Sequence, residues 1–442
     1  MAGGVALYAI NEFITMSLLP SVVADIGGAR LYAWVTTVYL VASVVSATTV
    51  GPVLARFGPR LSYLGALLFF AGGTAVCAAA PSMTLLLTGR LIQGLAGGVL
   101  AGLGYAVISA ALPERLWTRA AAVVSAMWGV GTLVGPASGG VFAQFGLWRW
   151  GFGVLMFAAL LMAVLVPIAL PTRGGATEQP VRIPVRSLVL LGVAALLVSV
   201  AALPRNLAIT AGLLVSAAAL VVVFVVVDRG AAARVLPRRT FEPGPLKWIY
   251  LTMGLLMAAT MVDMYAPLFG QRLGALPPAA AGFLGAALSV GWTVAEIRSA
   301  SIADRRVAAQ VVRWSPAVMA AGLGLAALAI RDGAGPVAIA ALGLALAISG
   351  VGIGAAWPHL SVWAMGSVEG GSTDDAAERA VAAAAINTVQ LMCAAFGAGV
   401  AGVVVNVRAQ PDAPAAQWLF TVFAGLAAVG WLASSRAARE PR

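Results

Sequence analysis

The sequence predicts an all-α membrane protein built of two six-helix bundles joined by two further helices. Three observations carry that expectation. The 442-residue chain is 61% hydrophobic and only 10% charged, against about half apolar and about a quarter charged for a soluble domain. Apolar runs recur along it at membrane-crossing length, since a bilayer core of about 30 Å needs about 20 helical residues. Its basic residues fall almost entirely between those runs.

The runs lie near 2–23, 32–54, 61–80, 84–112, 120–143 and 149–170. A polar stretch, PTRGGATEQPVRIPVR, follows them. Two runs near 187–203 and 207–227 come next, separated by the turn LPRN. A basic stretch from Asp228 to Lys247 then leads to six more, near 248–269, 278–300, 314–330, 337–366, 381–406 and 418–434. The expected division is an N-terminal six-helix bundle over 1–170, a linker with two extra transmembrane helices over 171–247, and a C-terminal six-helix bundle with a short tail over 248–442. The extra pair is expected at the periphery, filling lipid space between the halves. The first run has no basic leader and carries Glu12, so it reads as a first span and not as a cleaved signal.

The charge pattern tests the count. With the N-terminus inside, nineteen of the 27 basic residues fall on the cytoplasmic side and six outside, with Arg90 and Arg298 within runs. Such an asymmetry is the positive-inside pattern. It predicts an inner (plasma) membrane protein with both termini cytoplasmic. The acidic loop VEGGSTDDAAER is placed inside as well, because acids weigh little in that pattern. The arginines punctuate apolar runs and do not cluster on a soluble face, so the net charge of +11 predicts no nucleic-acid partner. Cys77 and Cys393 sit inside apolar runs, and His359 is the single histidine. No disulfide framework, metal site or cofactor is expected from them. An intramembrane enzyme would need a nucleophile–base set that these residues do not offer.

The stretch WGVGTLVGPASGG, Trp128 to Gly140, concentrates the two residues least suited to a helix interior. In lipid, helices associate by close packing, and small residues let backbones approach. Gly131, Gly135 and Gly139 recur every four residues and form one stripe. Pro136 removes a helical hydrogen bond and bends the span. Plain packing would account for the stripe as well as gating would.

Acids within a span are functional candidates, because an ionised side chain in the bilayer is expensive. Glu12 lies roughly 15 Å along the first run and shares a helical face with Tyr8 and Thr15, which suggests a polar stripe lining a cavity. It reads as a proton carrier or as a structural partner of Arg90. Asp263, in TMVDMYAPLF, shares a face with Thr260 and Pro267. It reads as a carrier, a contact for a cationic substrate, or a snorkelling surface acid. Glu296, ahead of Arg298, reads as half of a gate ion pair in preference to a proton site. His359 titrates near neutral pH by nature, yet a lone membrane histidine more often packs through a hydrogen bond. Asn387 and Gln390 could bind substrate or tie helices together. Met253, Met257, Met261 and Met264 follow helical spacing, as core residues or as an adaptable pocket lining.

A weak internal repeat links WVTTVYLVASVVSATTVGPVLARFGPR to GFLGAALSVGWTVAEIRSASIADRR, each the second span of its six and each ending in a basic turn. Paired halves of this kind are a transporter signature. GVGTLVGPASGG, in the fifth span, resembles the antiporter motif of the major facilitator superfamily. GRLIQG, with Arg90, Gln93 and Gly94, resembles its fourth-span motif. The segment ending in ARFGPR, with Arg56 and Arg60, resembles its second span and loop motif, which ADRR repeats in the second half with Asp304 and Arg305. LPERLWTRA resembles the loop before span five. WRWGF and ITMSLLPSVVADIG are similar to segments of the fourteen-span drug:proton antiporter branch. Two places depart from the pattern: the acid of the loop motif is replaced by Ala55, and the first-span acid falls on Asn11, beside Glu12.

The resemblance implies the major facilitator fold and a monomeric, proton-coupled exporter of amphipathic or cationic drug-like compounds, working by alternating access among membrane lipids. Protons would be handled by Glu12, Asp263 and Arg90. The substrate cavity would draw on Tyr8, Thr15, Gln93, Thr260, His359, Asn387 and Gln390. Gating would involve Gly131, Gly135, Pro136, Gly139, Arg56, Arg60, Glu296, Asp304 and Arg305. Alternatives with the same fold are an exporter of an endogenous lipid, siderophore or metabolite; a non-transporting membrane sensor is the alternative of a different class.

Overall fold

The computed structural model describes residues 2–111, 117–170, 183–204, 206–366, 373–407 and 412–438. These residues are almost wholly helical, and no strand occurs among them. The first six helices follow the first six apolar runs: α1 (Ala2–Ile26), α2 (Tyr32–Ala47), α3 (Val50–Ala78), α4 (Met83–Ala111), α5 (Trp117–Gln144) and α6 (Trp148–Ala169). The extra pair forms α7 (Val185–Ala201) and α8 (Leu207–Gly230). The last six runs become α9 (Leu246–Thr260) with α10 (Ala266–Gly274), then α11 (Pro278–Ser299), α12 (Arg305–Ala329), α13 (Pro336–Gly366), α14 (Thr373–Asn406) and α15 (Ala413–Ala437). Among the described residues, 12 helical spans are long and apolar enough to cross a membrane. The chain is a multi-pass, all-α membrane protein. The count of fourteen drawn from the sequence also includes α5, part of whose side chains lie outside the described residues, and α7, which is shorter at 17 residues.

Contacts divide the chain into two compact units. One comprises Met1–Ile183 with Pro277–Phe283, the other Pro184–Leu276 with Leu284–Arg442. The extra pair therefore belongs to the second unit, where α7 runs along α14: a Cβ added at Gly399 would meet Val198 Cγ1 at 2.9 Å. The spans differ sharply in burial. Over the most apolar stretch of each, 78% of α1 and 89% of α9–α10 is buried, but only 17% of α8. Helices apolar on all sides are stable in lipid, so α8 can face it nearly everywhere. Spans one and nine have to meet protein instead.

Two departures from simple helices have local causes. The ninth span is interrupted by a 3-10 turn over Met261–Tyr265. Pro267 follows in the first turn of α10. A proline cannot donate to the carbonyl four residues back and crowds it, and here that carbonyl belongs to Asp263. The second run ends earlier than the sequence suggests: α2 stops at Ala47, Thr48 and Thr49 make a turn, and the ARFGPR segment lies inside α3. Gly58, at φ 72° and ψ 171°, breaks the helical path there, a conformation open to glycine and costly for other residues. Ser62 Oγ bridges the break, donating to Gly58 O at 2.7 Å and to Val53 O at 3.2 Å. The matching segment of the second half is a true loop, with Asp304 capping α12 through Arg306 N at 2.7 Å.

The glycine stripe of α5 lies flat on α1. A Cβ at Gly131 would meet Ala9 Cβ at 2.6 Å, at Gly135 Phe13 Cβ at 2.5 Å, and at Gly139 Ile14 O at 2.8 Å. Pro136 is also buried. The α2–α4 crossing works in the same way: Ser43 Oγ donates to Gly94 O at 3.1 Å, and a Cβ on Gly94 would meet Ala42 Cβ at 2.8 Å. We expect Gly135→Val to lower stability by about 1–3 kcal/mol, the usual range for overpacking, while Gly65→Ala, with open space around it, is neutral or slightly stabilising. Thermal unfolding of the purified variants in detergent checks both.

Candidate functional site

Arg90, on α4, is the largest of the fully buried side chains. Its Nε donates to Val35 O at 3.1 Å. Its Nη1 donates to Gln93 Oε1 at 2.9 Å and to Thr15 Oγ1 at 3.3 Å. The guanidinium carbon sits 4.1 Å from the Tyr39 ring centroid, a cation–π contact that strengthens when water is excluded. Gln93 passes the network on: its Nε2 donates to Thr74 Oγ1 at 2.8 Å and to Asn11 Oδ1 at 3.2 Å. Its oxygen also accepts from Cys77 Sγ at 3.5 Å. Thr15 Oγ1 in turn donates to Asn11 O at 2.6 Å. One arginine thereby ties α1, α2, α3 and α4 together. Each hydrogen bond from a charged donor contributes about 1.5–3 kcal/mol.

Glu12 lies on α1 one turn beyond Tyr8 and is 8% exposed. The ion pairs among the described residues are Arg149–Asp25 and Arg238–Glu242, so Glu12 and Arg90 close no direct bridge. The Arg90 charge acts on Glu12 through space. Tyr8 stacks on Tyr39 at 5.4 Å and meets the edge of Trp128 at 5.6 Å. Tyr8, Thr15 and Gln93 are all buried within the first unit, and the polar groups of Thr15 and Gln93 are taken up by the arginine network. Asn11, at the place of the first-span acid in the resemblance, holds Gln93 and carries no charge.

In the second unit Asp263 is buried in the interrupted span, and Thr260 Oγ1 donates to Met257 O at 2.7 Å. Gly285 lets α11 come close: a Cβ there would meet Pro267 Cγ at 2.8 Å. Met253, Met257, Met261 and Met264 are all buried core residues. Asn387 is exposed and Gln390 half-buried on α14.

Glu296 corrects an expectation. No cation pairs with it among the described residues; it accepts from Trp292 Nε1 at 2.9 Å, one turn back on the same helix, in an aromatic contact with Trp357. An indole donor in a half-buried site satisfies the carboxylate where an arginine was expected. His359 is also placed by a neighbour, with Nε2 2.9 Å from Ser299 Oγ, near the end of α11. Asp304 serves as a helix cap. Arg56 and Arg60 make no ion pair among the described residues, and Arg56 lies over Phe57 at 5.5 Å. The side chain of Ala55 lies outside the described residues.

Several contributors were not singled out in the sequence. Tyr39 and Thr74 complete the Arg90 shell; their only sequence signal is a polar or aromatic residue in an apolar run. Asp25 accepts from Arg149 at 2.6 Å and from Trp148 Nε1 at 3.0 Å, while Arg149 Nη2 reaches Ala80 O at 3.2 Å. The WRWGF segment thus clasps the ends of α1, α3 and α6. Asp228, fully buried, accepts from Val235 N at 2.8 Å and Leu236 N at 3.0 Å and folds the following basic stretch back on α8.

Buried polar networks on intramembrane helices, discontinuous spans and repeated halves define a membrane transporter and not an enzyme. The chain belongs to the Major Facilitator Superfamily, whose family model matches residues 1–398. It is 60% identical, over its full length and 94% of the relative, to a probable multidrug-efflux transporter of Mycobacterium tuberculosis (strain ATCC 25618 / H37Rv). It is 27% identical to the multidrug efflux pump SdrM of Staphylococcus aureus (strain N315) over 64% of each chain. Among solved structures, the nucleoside transporter NupG matches with a TM-score of 0.63 at 15% identity over 100% of both chains. The human organic anion transporter MFSD10 matches with 0.64 at 16%, over 98% of this chain and 97% of that one. At such identities the two structures establish the fold.

We expect Arg90→Leu to destabilise the protein by about 2–4 kcal/mol, because Val35, Thr15 and Gln93 lose their donor while remaining buried. Glu296→Gln, which keeps an acceptor for Trp292 and removes no ion pair, stays within about 0.5 kcal/mol of the parent. Unfolding in detergent micelles distinguishes the two.

Proposed function

We propose that this transporter exports amphipathic or cationic drug-like compounds across the inner (plasma) membrane in exchange for protons, by alternating access. The relative at 60% identity, a probable multidrug-efflux transporter, supports the substrate class. The coupling rests on one observation: Glu12 is buried on one of the two most buried spans, within the field of Arg90 but not bridged to it. A carboxylate in a hydrogen-bonded bridge is slow to exchange its proton partner. One held only through space keeps its oxygens available.

Arg90 is permanently charged and is held by Val35 O, Thr15 Oγ1 and Gln93 Oε1, so it stays in place while Glu12 changes state. The charged carboxylate is attracted to the guanidinium; a proton arriving from outside removes that attraction and the price of a buried charge together. Release of the proton inside restores both. Asp263, at the break in the ninth span, is the counterpart in the second unit and assists. The α1–α5 glycine seam holds the acid-bearing helix against its neighbour and leaves no room for water to leak along it. The protein acts as a monomer with fourteen spans and both termini cytoplasmic, in agreement with the positive-inside pattern.

In everted membrane vesicles with an imposed pH gradient, Glu12→Gln is expected to cut gradient-driven export of a cationic dye by about tenfold or more, a barrier change of about 1.4 kcal/mol. Asp263→Asn is expected to have a smaller effect. Export unchanged in both single variants and in the double variant would end the coupling scheme.

A further inference from the structure

The second unit contains a cavity of about 270 Å³ where the end of α11, the start of α12 and the later turns of α13 meet. Its composition is unlike that of a packing defect. Ile302, Pro358, Val362 and Trp363 supply apolar wall, and the exposed Arg305 and buried His359 are the ionisable residues of the lining. His359 is 8% exposed. Arg305, although it borders the cavity, has no hydrogen bond or ion pair to its guanidinium among the described residues.

The local hydrogen bonds set the state of the histidine. Ser299 Oγ donates to Ala355 O at 2.6 Å, so its hydroxyl hydrogen is used. The oxygen then accepts from His359 Nε2–H at 2.9 Å. In that tautomer Nδ1 is an acceptor, and no hydrogen bond to it occurs among the described residues. Two acids, Asp304 and Glu296, stand near the cavity against three arginines, Arg298, Arg305 and Arg306, an excess of one positive charge. Asp304 is committed to the backbone N–H groups of Arg306 at 2.7 Å and Val307 at 3.4 Å. Glu296 is held by Trp292. Arg298 and Arg306 are exposed and basic. The N-terminus of the 25-residue helix α12 borders the cavity and is capped by Asp304.

We propose that this cavity is a binding site for a phosphate-bearing anion, whose phosphate oxygens are met by Arg305 and one of whose hydroxyl groups donates to His359 Nδ1. The source that fits best is the head group of an anionic phospholipid of the inner leaflet. The positive-inside topology places this end of the unit there, anionic lipids concentrate on that face, and the wall residue Val362, 61% exposed, offers an apolar surface to an acyl chain. A bound head group would brace the α11–α12 turn against α13, where Ser299 already bonds both His359 and Ala355. The site is independent of the Glu12 coupling scheme.

The test is thermal unfolding of the purified full-length protein in a neutral detergent, with added phosphatidylglycerol, phosphatidylcholine or inorganic phosphate. We expect phosphatidylglycerol to raise the midpoint by several degrees over phosphatidylcholine in the parent. Arg305→Gln and His359→Leu should each lose most of that difference, while Arg229→Gln, outside the cavity, should keep it. If His359→Leu does not fold, His359→Asn replaces it. Stabilisation by inorganic phosphate that disappears in Arg305→Gln supports the site with a free anion as its source. A lipid effect equal in the parent and both cavity variants, one lost equally in Arg229→Gln, or no stabilisation of the parent by either phosphate source overturns the proposal.

Discussion

A guanidinium shut away from water has to be met by protein acceptors on every side, and in this chain that requirement sets the places of four helices. Arg90 cannot discard its charge. Its donors reach a backbone carbonyl on α2, a threonine on α1 and a glutamine on its own helix, which reaches α3 in turn. If any of those helices moved by a turn, a buried charge would lose an acceptor, at several kcal/mol. The network therefore acts as a template for the first unit. It also supplies the field in which Glu12 sits.

Such a template demands very short helix separations, and the glycines provide them. Along α5 and at Gly94 the missing side chains bring a neighbour's backbone or Cβ to where a methyl group would be. In water these positions would weaken the helices. In lipid every peptide group is bonded within its own helix, so propensity counts for less and packing decides. The same reasoning explains why Pro267 is tolerated in the most buried span: it interrupts the helix beside Asp263, and the surrounding helices hold the irregular turn in place.

The acids show how much a local partner matters. Asp304, Asp412 and Asp228 all receive backbone N–H groups, Asp25 takes an arginine and an indole, and Glu296 an indole. Each of these groups is met by a donor close by. Glu12 differs from them: its charged neighbour stands off, and no direct bridge forms. That contrast, more than burial alone, sets Glu12 apart from the acids that pin a helix end.

The apolar runs by themselves determined that the chain is a helical membrane protein, broadly where its spans lie, although α3 and α12 begin well before their runs at Val50 and Arg305, and how the basic residues distribute, because hydrophobic length and charge are properties of one segment in one solvent. The four-residue glycine spacing likewise marked a close seam before any partner was known, and the motifs around Arg90 and Gly135 marked the family. Pairing was decided only in three dimensions. That Gln93 and Thr15 serve Arg90, that Glu296 binds an indole instead of a cation, that His359 leans on Ser299 beside an arginine-lined cavity, and that α7 lies along α14 all depend on which helix stands next to which. A span of apolar residues carries no record of its neighbours, since in lipid no hydrophobic face points to the interior. Small residues and polar atoms at the crossings choose the partner, and those choices appear only once the helices are packed.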